Sequence, residues 1–158
     1  MEQKENIFKV LQLLHRAMLA GMLLFSIIAL YITVTRQTTH VNISTGKALQ
    51  IAVIAVAFLA VSGGFFIFNK RMLLTANMPI ASERMGVYRI SAIIRWAMIE
   101  VPVMIALISF VLTGNYAFLA LALAAMMVFV YTAPSKNKII QQLQLDDKDV
   151  RQLEGQSK

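Results

Sequence analysis

The sequence contains no cysteine. This absence excludes disulfide bonds, thiol redox chemistry and cysteine-ligated metal centres, and with them a quinone-linked disulfide enzyme. Histidine is scarce, since His15 and His40 are the only two. They fall on opposite sides of the membrane in the topology derived below and cannot share one metal ion or one haem. We interpret them as interfacial or loop histidines and expect neither a metal nor a cofactor.

An acidic cluster near the C-terminus has the residue type that binds calcium. Asp146, Asp147 and Asp149 lie close together. A calcium-binding loop also needs a central glycine and a final glutamate, and both are missing here. The three carboxylates are better explained as the cap and first turn of a short last helix.

Charge is absent from long stretches of the chain. Residues 17–35, 48–69 and 116–132 carry no charged side chain, and residues 90–113 carry only Arg95 and Glu100. An apolar helix of about 20 residues crosses the roughly 30 Å of hydrocarbon in a bilayer. The composition is 58% apolar, too high for an ordinary soluble protein. The sequence therefore predicts an all-α integral membrane four-helix bundle.

The predicted four-span transmembrane domain covers residues 1–135, and a cytoplasmic amphipathic tail covers residues 136–158. In the tail, Ile139, Ile140 and Leu143 share one helical face, and Ser135 is placed to cap that helix. Ser82 is placed to cap the third span, and Thr113-Gly114-Asn115-Tyr116 predicts a tight turn between the third and fourth spans. Residues 1–16 mix charge with helically spaced apolar side chains, which predicts a second short amphipathic segment leading into the first span.

The basic residues predict the orientation. Every Lys and Arg except Arg36 and Lys47 lies in the N-terminal segment, in residues 70–95 or in the C-terminal tail. The positive-inside rule therefore places both termini in the cytoplasm, and we expect a bacterial cytoplasmic (inner) membrane. The same topology accounts for the net charge of +7. Nucleic-acid binding is therefore not expected.

Glu100 is the charge deepest in any predicted span. Insertion scales put the free-energy cost of a charged side chain in a membrane helix at roughly 2.5 to 3.5 kcal/mol. We therefore expect Glu100 to face the inside of the bundle. Pro102 has no N–H, which deprives the Met98 carbonyl of its helical donor. Ser62 and Tyr131 lie at a similar depth. We predict an intramembrane polar site made by these groups, with Ser62 or Tyr131 donating to Glu100. Alternatively, Glu100 is a protonated structural acid that ties helices together.

The sequence also predicts helix-packing positions inside the spans and membrane-interface anchors at the span ends. Glycines inside a span usually allow a second helix to approach closely, with a hinge as the alternative. The predicted packing positions are Gly21, Gly63, Gly64 and Pro102. The predicted membrane-interface anchors are Arg16, Arg95 and Trp96.

Residues 97–108, Ala-Met-Ile-Glu-Val-Pro-Val-Met-Ile-Ala-Leu-Ile, resemble the carboxylate helix of rotary ATPase proteolipid subunits. That resemblance implies a proton or sodium ion carried by Glu100. Two features depart from the family. Residues 17–35 contain Gly21 as their only glycine, where the proteolipid's companion helix has a ladder of small residues, and the connector of residues 70–89 is long. Small four-span multidrug transporters also use one membrane glutamate, but in their first helix.

No catalytic residue is predicted. The sequence has no Ser/His/Asp set on one membrane side, no pair of carboxylates at one depth and no metal-ligand spacing. Our first hypothesis is a non-enzymatic subunit or scaffold of a membrane complex. It would contact the lipid bilayer and a protein partner or a second copy through the spans or the tail. The alternative is a proton- or cation-coupled transport component with Glu100 as the titrating carboxylate.

Overall fold

The computed structural model describes residues 7–35, 43–75 and 78–153. Within these ranges every regular element is an α-helix, and no strand occurs. The helices are α1 (Ile7–Thr35), α2 (Ile43–Thr75), α3 (Ala81–Thr113), α4 (Tyr116–Tyr131), α5 (Lys136–Leu143) and α6 (Asp147–Leu153). The predicted all-α class is confirmed over the described residues.

Three of the helices, α1, α2 and α3, are long and apolar enough to cross a membrane. Helix α4 has the length and apolarity of a membrane span only when it is taken together with α5, and the chain bends by 67° between these two helices. The described residues therefore contain three helices with the length and apolarity of membrane spans, or four spans if the bent pair is one span. These helices indicate an integral membrane protein.

Helices α1, α2 and α3 are longer than the predicted spans, whereas α4 ends one residue before the predicted end of the fourth span. Helix α2 continues to Thr75, and α3 begins at Ala81 rather than near residue 90. The residue before α3 is Ile80, which makes no side-chain capping hydrogen bond, so the predicted cap at Ser82 is wrong. Hydropathy detects only the apolar part of a helix, whereas backbone hydrogen bonding continues into the polar residues beyond it.

Helix α3 lies at the centre of the fold and contacts α1, α2 and α4. Its buried side chains recur every three or four residues, which is the period of an α-helix with one face in a core. They include Tyr88, Ala92, Arg95, Ile99, Val103, Ala106 and Phe110. Because three helices pack around it, α3 is the most deeply buried of the long helices.

A tight turn connects α3 to α4, as predicted from the sequence. Gly114 has a φ of 65°, a left-handed conformation that glycine adopts without strain, and its N–H donates to the Phe110 carbonyl at 2.8 Å. The Asn115 side chain caps α4 by accepting from the Ala117 N–H at 2.9 Å. Helix α4 then runs back along α3, with Tyr116 beside Phe110 and Phe129 beside Trp96.

The C-terminal helices pack against the same core. Ser135 caps α5 by accepting from the Lys138 N–H at 3.3 Å, which confirms the predicted cap. Ile139 and Leu143 are fully or almost fully buried, and α5 contacts α2 and α3. The apolar face of α5 is therefore covered by helices of its own chain. The predicted amphipathic pattern is present, but that face does not lie open for a partner or a leaflet.

Candidate functional site

Three aromatic rings pack together where α1, α3 and α4 meet. The His15 ring stacks on Phe129 with centroids 4.4 Å apart and meets Trp96 edge-on at 5.0 Å. His15 Nε2 lies 3.1 Å from the Phe129 carbonyl, to which it donates. We call His15, Trp96 and Phe129 the ring cluster. His15 is helical and buried, so the loop alternative is wrong, and its place near the membrane interface stays a prediction; His40 lies outside the described residues.

Arg95, the neighbour of Trp96 in α3, is buried as well. Only 8% of its surface is exposed. Its guanidinium carbon lies 3.9 Å from the centre of the Phe68 ring and 5.5 Å from that of Phe65, both in α2. Within the described ranges Arg95 has no hydrogen bond or ion pair, and its Nε is buried without a partner.

The three predicted membrane-interface anchors differ in their exposure. Arg16 is exposed on α1, but Trp96 is completely buried and Arg95 nearly so. The cause is helical register, because Tyr88, Ala92, Arg95 and Ile99 all fall on the buried face of α3. Neither Arg95 nor Trp96 reaches outward from the surface of the helices.

A cavity of about 230 Å³ lies beside the Arg95 side chain. A water molecule takes about 30 Å³ of liquid, so this volume equals that of roughly seven waters and exceeds what a single ion needs. We call it the arginine cavity. It is lined from α2 by Phe65, Phe68 and Asn69, from α3 by Tyr88 and Arg95, from the end of α4 by Tyr131, Thr132 and Ala133, and from α5 by Lys138 and Gln142.

The lining of the arginine cavity is positively charged. Arg95 and Lys138 are its two ionic side chains, and no carboxylate is among the described residues that line it. Lys138 Nζ lies 5.4 Å from the centre of the Tyr131 ring. The Thr132 hydroxyl donates to the Phe129 carbonyl at 2.7 Å and has no proton left for a ligand. Donors therefore come from the two cations, from Asn69 and Gln142, and from the tyrosine hydroxyls.

Aromatic contacts offset only part of the cost of burying Arg95. Removing a charged side chain from water costs several kcal/mol, and a desolvated cation–π contact returns about 2 kcal/mol. The faces of the two phenylalanine rings attract the positive charge, but they do not replace hydrogen-bond acceptors for the guanidinium N–H groups. An anion in the cavity would supply the acceptors and the opposite charge together.

The arginine cavity and the ring cluster lie at one level along the helices. From this level to the far end of α1 or α3 is roughly 20 residues, or about 30 Å at 1.5 Å per residue. That is the thickness of the hydrocarbon core of a bilayer. Beyond the level, α2 and α3 continue into segments that carry Lys70, Arg71, Arg84 and Arg89.

The residues of the predicted intramembrane polar site are not joined in the structure. Glu100 is half-buried and lies on α3 between the exposed residues Ala97 and Val101. Within the described parts of the chain, no hydrogen bond or ion pair connects it to any residue. Ser62 is exposed on α2, and Tyr131 lines the arginine cavity instead.

The predicted helix-packing positions differ in how closely a neighbouring helix approaches them. A Cβ added to Gly64 would lie 3.2 Å from Met98 Cβ and 3.5 Å from the Arg95 carbonyl oxygen, and one added to Gly63 would lie 3.1 Å from Met98 Cε. Helix α2 thus comes very close to α3 at these glycines. A Cβ at Gly21 would meet nothing within 4 Å. Pro102 is buried inside α3.

The sequence interpretation missed the role of Arg95 because it treated the side chain as a membrane anchor. A signal was present, since the three- and four-residue spacing from Tyr88 to Ile99 includes Arg95 on the apolar face. No such signal marked Lys138. Its place in the cavity follows from the packing of α5 on α2 and α3, a contact between distant parts of the chain.

Comparison with protein families, with curated proteins and with solved structures finds no match to this chain.

Proposed function

We propose that this chain is an integral membrane protein with four spans and cytoplasmic termini, acting as a non-enzymatic subunit or scaffold that binds an anionic group in the arginine cavity. One observation carries the proposal. Arg95 is buried, has no hydrogen-bond or ion-pair partner among the described residues, and lines a cavity with a second cation and no carboxylate. A permanently charged side chain in that setting is complementary to an anion.

The packing of α4 and α5 supports the fourth span. Helix α4 starts beside Phe110 near the far end of α3 and reaches Trp96 with Phe129. Helix α5 then lies against the first part of α3, where Arg84 donates to the Leu143 carbonyl at 2.8 Å. The chain therefore returns along α3 to the end from which α3 began, as a fourth span would require.

The charge pattern supports the orientation. The segments beyond the arginine cavity carry most of the basic residues, and the loop at Gly114 carries none. The positive-inside rule therefore places the arginine cavity at the cytoplasmic side of the membrane. The location in a bacterial cytoplasmic membrane and the assembly with a protein partner or a second copy remain part of this proposal.

Binding of an anion is tested by its effect on stability. A ligand that binds only the folded protein at 100 times its Kd stabilises it by about 2.7 kcal/mol. The full chain in neutral detergent should therefore melt at a higher temperature when inorganic phosphate or a short-chain anionic phospholipid replaces chloride at constant ionic strength. The Arg95→Gln variant should lose this shift. The matched variant is Arg89→Gln, which removes one exposed charge from the same helix and should keep it.

Two results would contradict anion binding in the arginine cavity. One is a thermal shift of equal size in the parent and the Arg95→Gln variant, which would locate the anion elsewhere. The other is the absence of any shift with both phosphate probes. A smaller but measurable shift is expected for Arg95→Lys, which keeps the charge but loses the planar group that stacks on Phe68.

Ion-coupled transport by Glu100 remains a prediction from the sequence. None of the hydrogen bonds and ion pairs of the described residues involves this carboxylate, so its surroundings give the prediction no added support. A Glu100→Gln variant keeps a hydrogen-bonding group but cannot titrate. Ion flux into liposomes that is equal for the parent and the variant would end the transport hypothesis.

A further inference from the structure

We propose that the anion in the arginine cavity is the phosphate headgroup of an anionic phospholipid from the cytoplasmic leaflet, an inference that rests on the proposed function. A phosphate group that enters from solution offers the same oxygens to Arg95 and Lys138. A lipid headgroup and a free phosphate ion require different surroundings, because a lipid also needs an apolar path for its acyl chains next to the headgroup.

The cavity has a lateral side between α2 and α4. These two helices each contact α3 far more than they contact each other. Phe65 and Tyr131 both line the cavity, and Tyr131 is 77% exposed on the outer surface of the helices. The cavity wall therefore continues directly into the surface that faces the bilayer. A tyrosine at that place is suited to the boundary between headgroups and acyl chains.

An apolar groove begins one helical turn deeper in the span. Met127 precedes Tyr131 by four residues and lies on the same face of α4. It helps to line an almost entirely apolar cavity of about 400 Å³ between α1 and α4. The other lining residues are Leu19, Leu23, Leu123, Met126 and Val130. The outer face of α4 thus passes from Tyr131 at the arginine cavity to apolar side chains one turn deeper, in the order of the two parts of a phospholipid.

The depth and charge of the site fit the same ligand. The arginine cavity lies about one hydrocarbon thickness from the far ends of α1 and α3. Basic pockets between helices on the cytoplasmic side bind anionic headgroups, since that leaflet carries the anionic lipids. Lys138 comes from α5, which packs over this end of the helices and places a cation at the headgroup level.

The test measures which lipid stays bound to the full chain. The protein is reconstituted in nanodiscs with equal amounts of phosphatidylglycerol and phosphatidylcholine, re-extracted in neutral detergent, and its retained lipid is quantified by mass spectrometry. The parent should retain phosphatidylglycerol over phosphatidylcholine by about tenfold, the effect of a hydrogen-bonded contact to a charged group. Arg95→Gln should bring the ratio to the mixing ratio, while Arg89→Gln should leave it at the parent value.

Lys138→Gln is the second variant, because Lys138 is exposed and its replacement leaves the helix core intact. It should lower the preference for phosphatidylglycerol several-fold even if Arg95→Gln folds poorly. Each variant is also assayed with excess inorganic phosphate at matched ionic strength, with the thermal midpoint as readout.

The outcomes separate the inference from the proposed function. Arg95-dependent retention of phosphatidylglycerol supports both. A thermal shift from inorganic phosphate that depends on Arg95, without any lipid preference, overturns the lipid headgroup and leaves anion binding standing. A lipid preference that is the same in the parent, in Arg95→Gln and in Lys138→Gln overturns the inference, since the lipid is then bound elsewhere. The absence of both effects overturns both proposals.

Discussion

Gly64 sets the distance between α2 and α3. An added Cβ would lie 3.2 Å from Met98 Cβ, closer than most real contacts of that kind. Because the nearest atoms belong to the backbone and the first side-chain carbon of α3, they cannot move without moving the helix. The same close approach brings Phe65 and Phe68 of α2 onto the Arg95 side chain.

A leucine at Gly64 should therefore destabilise the protein. Overpacking of this kind costs about 1 to 3 kcal/mol. The matched control is Gly21→Leu, since Gly21 is exposed and helical and has no heavy atom within 4 Å of an added Cβ. Thermal unfolding in detergent should show a lower midpoint for Gly64→Leu and an unchanged or higher one for Gly21→Leu. Equal midpoints would show that α2 and α3 do not meet at Gly64.

His15 stabilises the helices through its ring more than through its hydrogen bond. The Phe129 carbonyl also accepts from the Thr132 N–H at 3.0 Å and from the Thr132 hydroxyl at 2.7 Å. The Phe129 carbonyl therefore keeps hydrogen-bond donors when the imidazole is removed. The stacked contact with Phe129 and the edge contact with Trp96 have no such substitute.

Two replacements of His15 separate these contributions. His15→Phe keeps a ring of similar shape and should cost about 1 kcal/mol or less, the net value of one ordinary hydrogen bond. His15→Ala opens a cavity among the ring cluster and should cost about 3 to 5 kcal/mol, as large aromatic truncations do. Unfolding free energies of the two variants give the comparison. A larger loss for His15→Phe than for His15→Ala would contradict the packing explanation.

Residue identities in the site were only partly readable from the sequence. The Ser135 cap and the Gly114 turn were predicted because they depend on a few adjacent residues. The role of Arg95 was not, since a cation at the end of an apolar run normally reaches outward to the interface. Its buried position depends on the two phenylalanines of α2, which local sequence does not place beside it.

At the scale of elements, one arginine of α3 makes polar contacts with the segments at the end of α5 and the start of α6. Arg84 donates to the Leu143 carbonyl at 2.8 Å and to the Gln144 carbonyl at 3.3 Å, where α5 ends. It also lies 3.7 Å from Asp149, whose carboxylate accepts from the Asp146 N–H at the start of α6. Arg84 thus caps the end of one helix and contacts the first turn of the next.

Removal of Arg84 should loosen the attachment of α5 and α6, which their buried apolar side chains would still support. Hydrogen bonds from a charged donor contribute about 1.5 to 3 kcal/mol, whereas a partly exposed ion pair contributes about 0 to 1 kcal/mol. Arg84→Ala should therefore speed amide hydrogen exchange across residues 136–153 more than Asp149→Asn does. Arg89→Ala, which removes an exposed arginine from the same helix, should leave the exchange rates unchanged. Equal exchange in all three variants would mean that Arg84 does not hold this region.

The types and order of the long helices were predictable, and their ends were not. Apolar runs of about 20 residues identify helices of spanning length, because the bilayer fixes that length. The polar continuations of α2 and α3 carry no comparable signal. The attachment of α5 to α2 and α3 was not predictable either, since an amphipathic pattern shows which face is apolar and not what covers it.

At the scale of the whole molecule, the ring cluster and the arginine cavity lie at one level along the helices. Helices α1, α3 and α4 contribute to the cluster, and α2, α3, α4 and α5 contribute to the cavity. If this level is the cytoplasmic surface of the membrane, the segments beyond it belong in water, which fits their basic residues. Anion binding by Arg95 and selection of a lipid headgroup both depend on that placement.

The most direct measurement of this placement is the accessibility of single cysteines in sealed membranes, which the natural absence of cysteine makes possible. Asn115→Cys tests the turn between α3 and α4, while Ser82→Cys and Gln141→Cys test the end that holds the arginine cavity. A membrane-impermeant thiol reagent should label Asn115→Cys only from outside and the other two variants only from the cytoplasm. Labelling of Asn115→Cys and Gln141→Cys from the same side would contradict it, because α4 would then not cross the membrane.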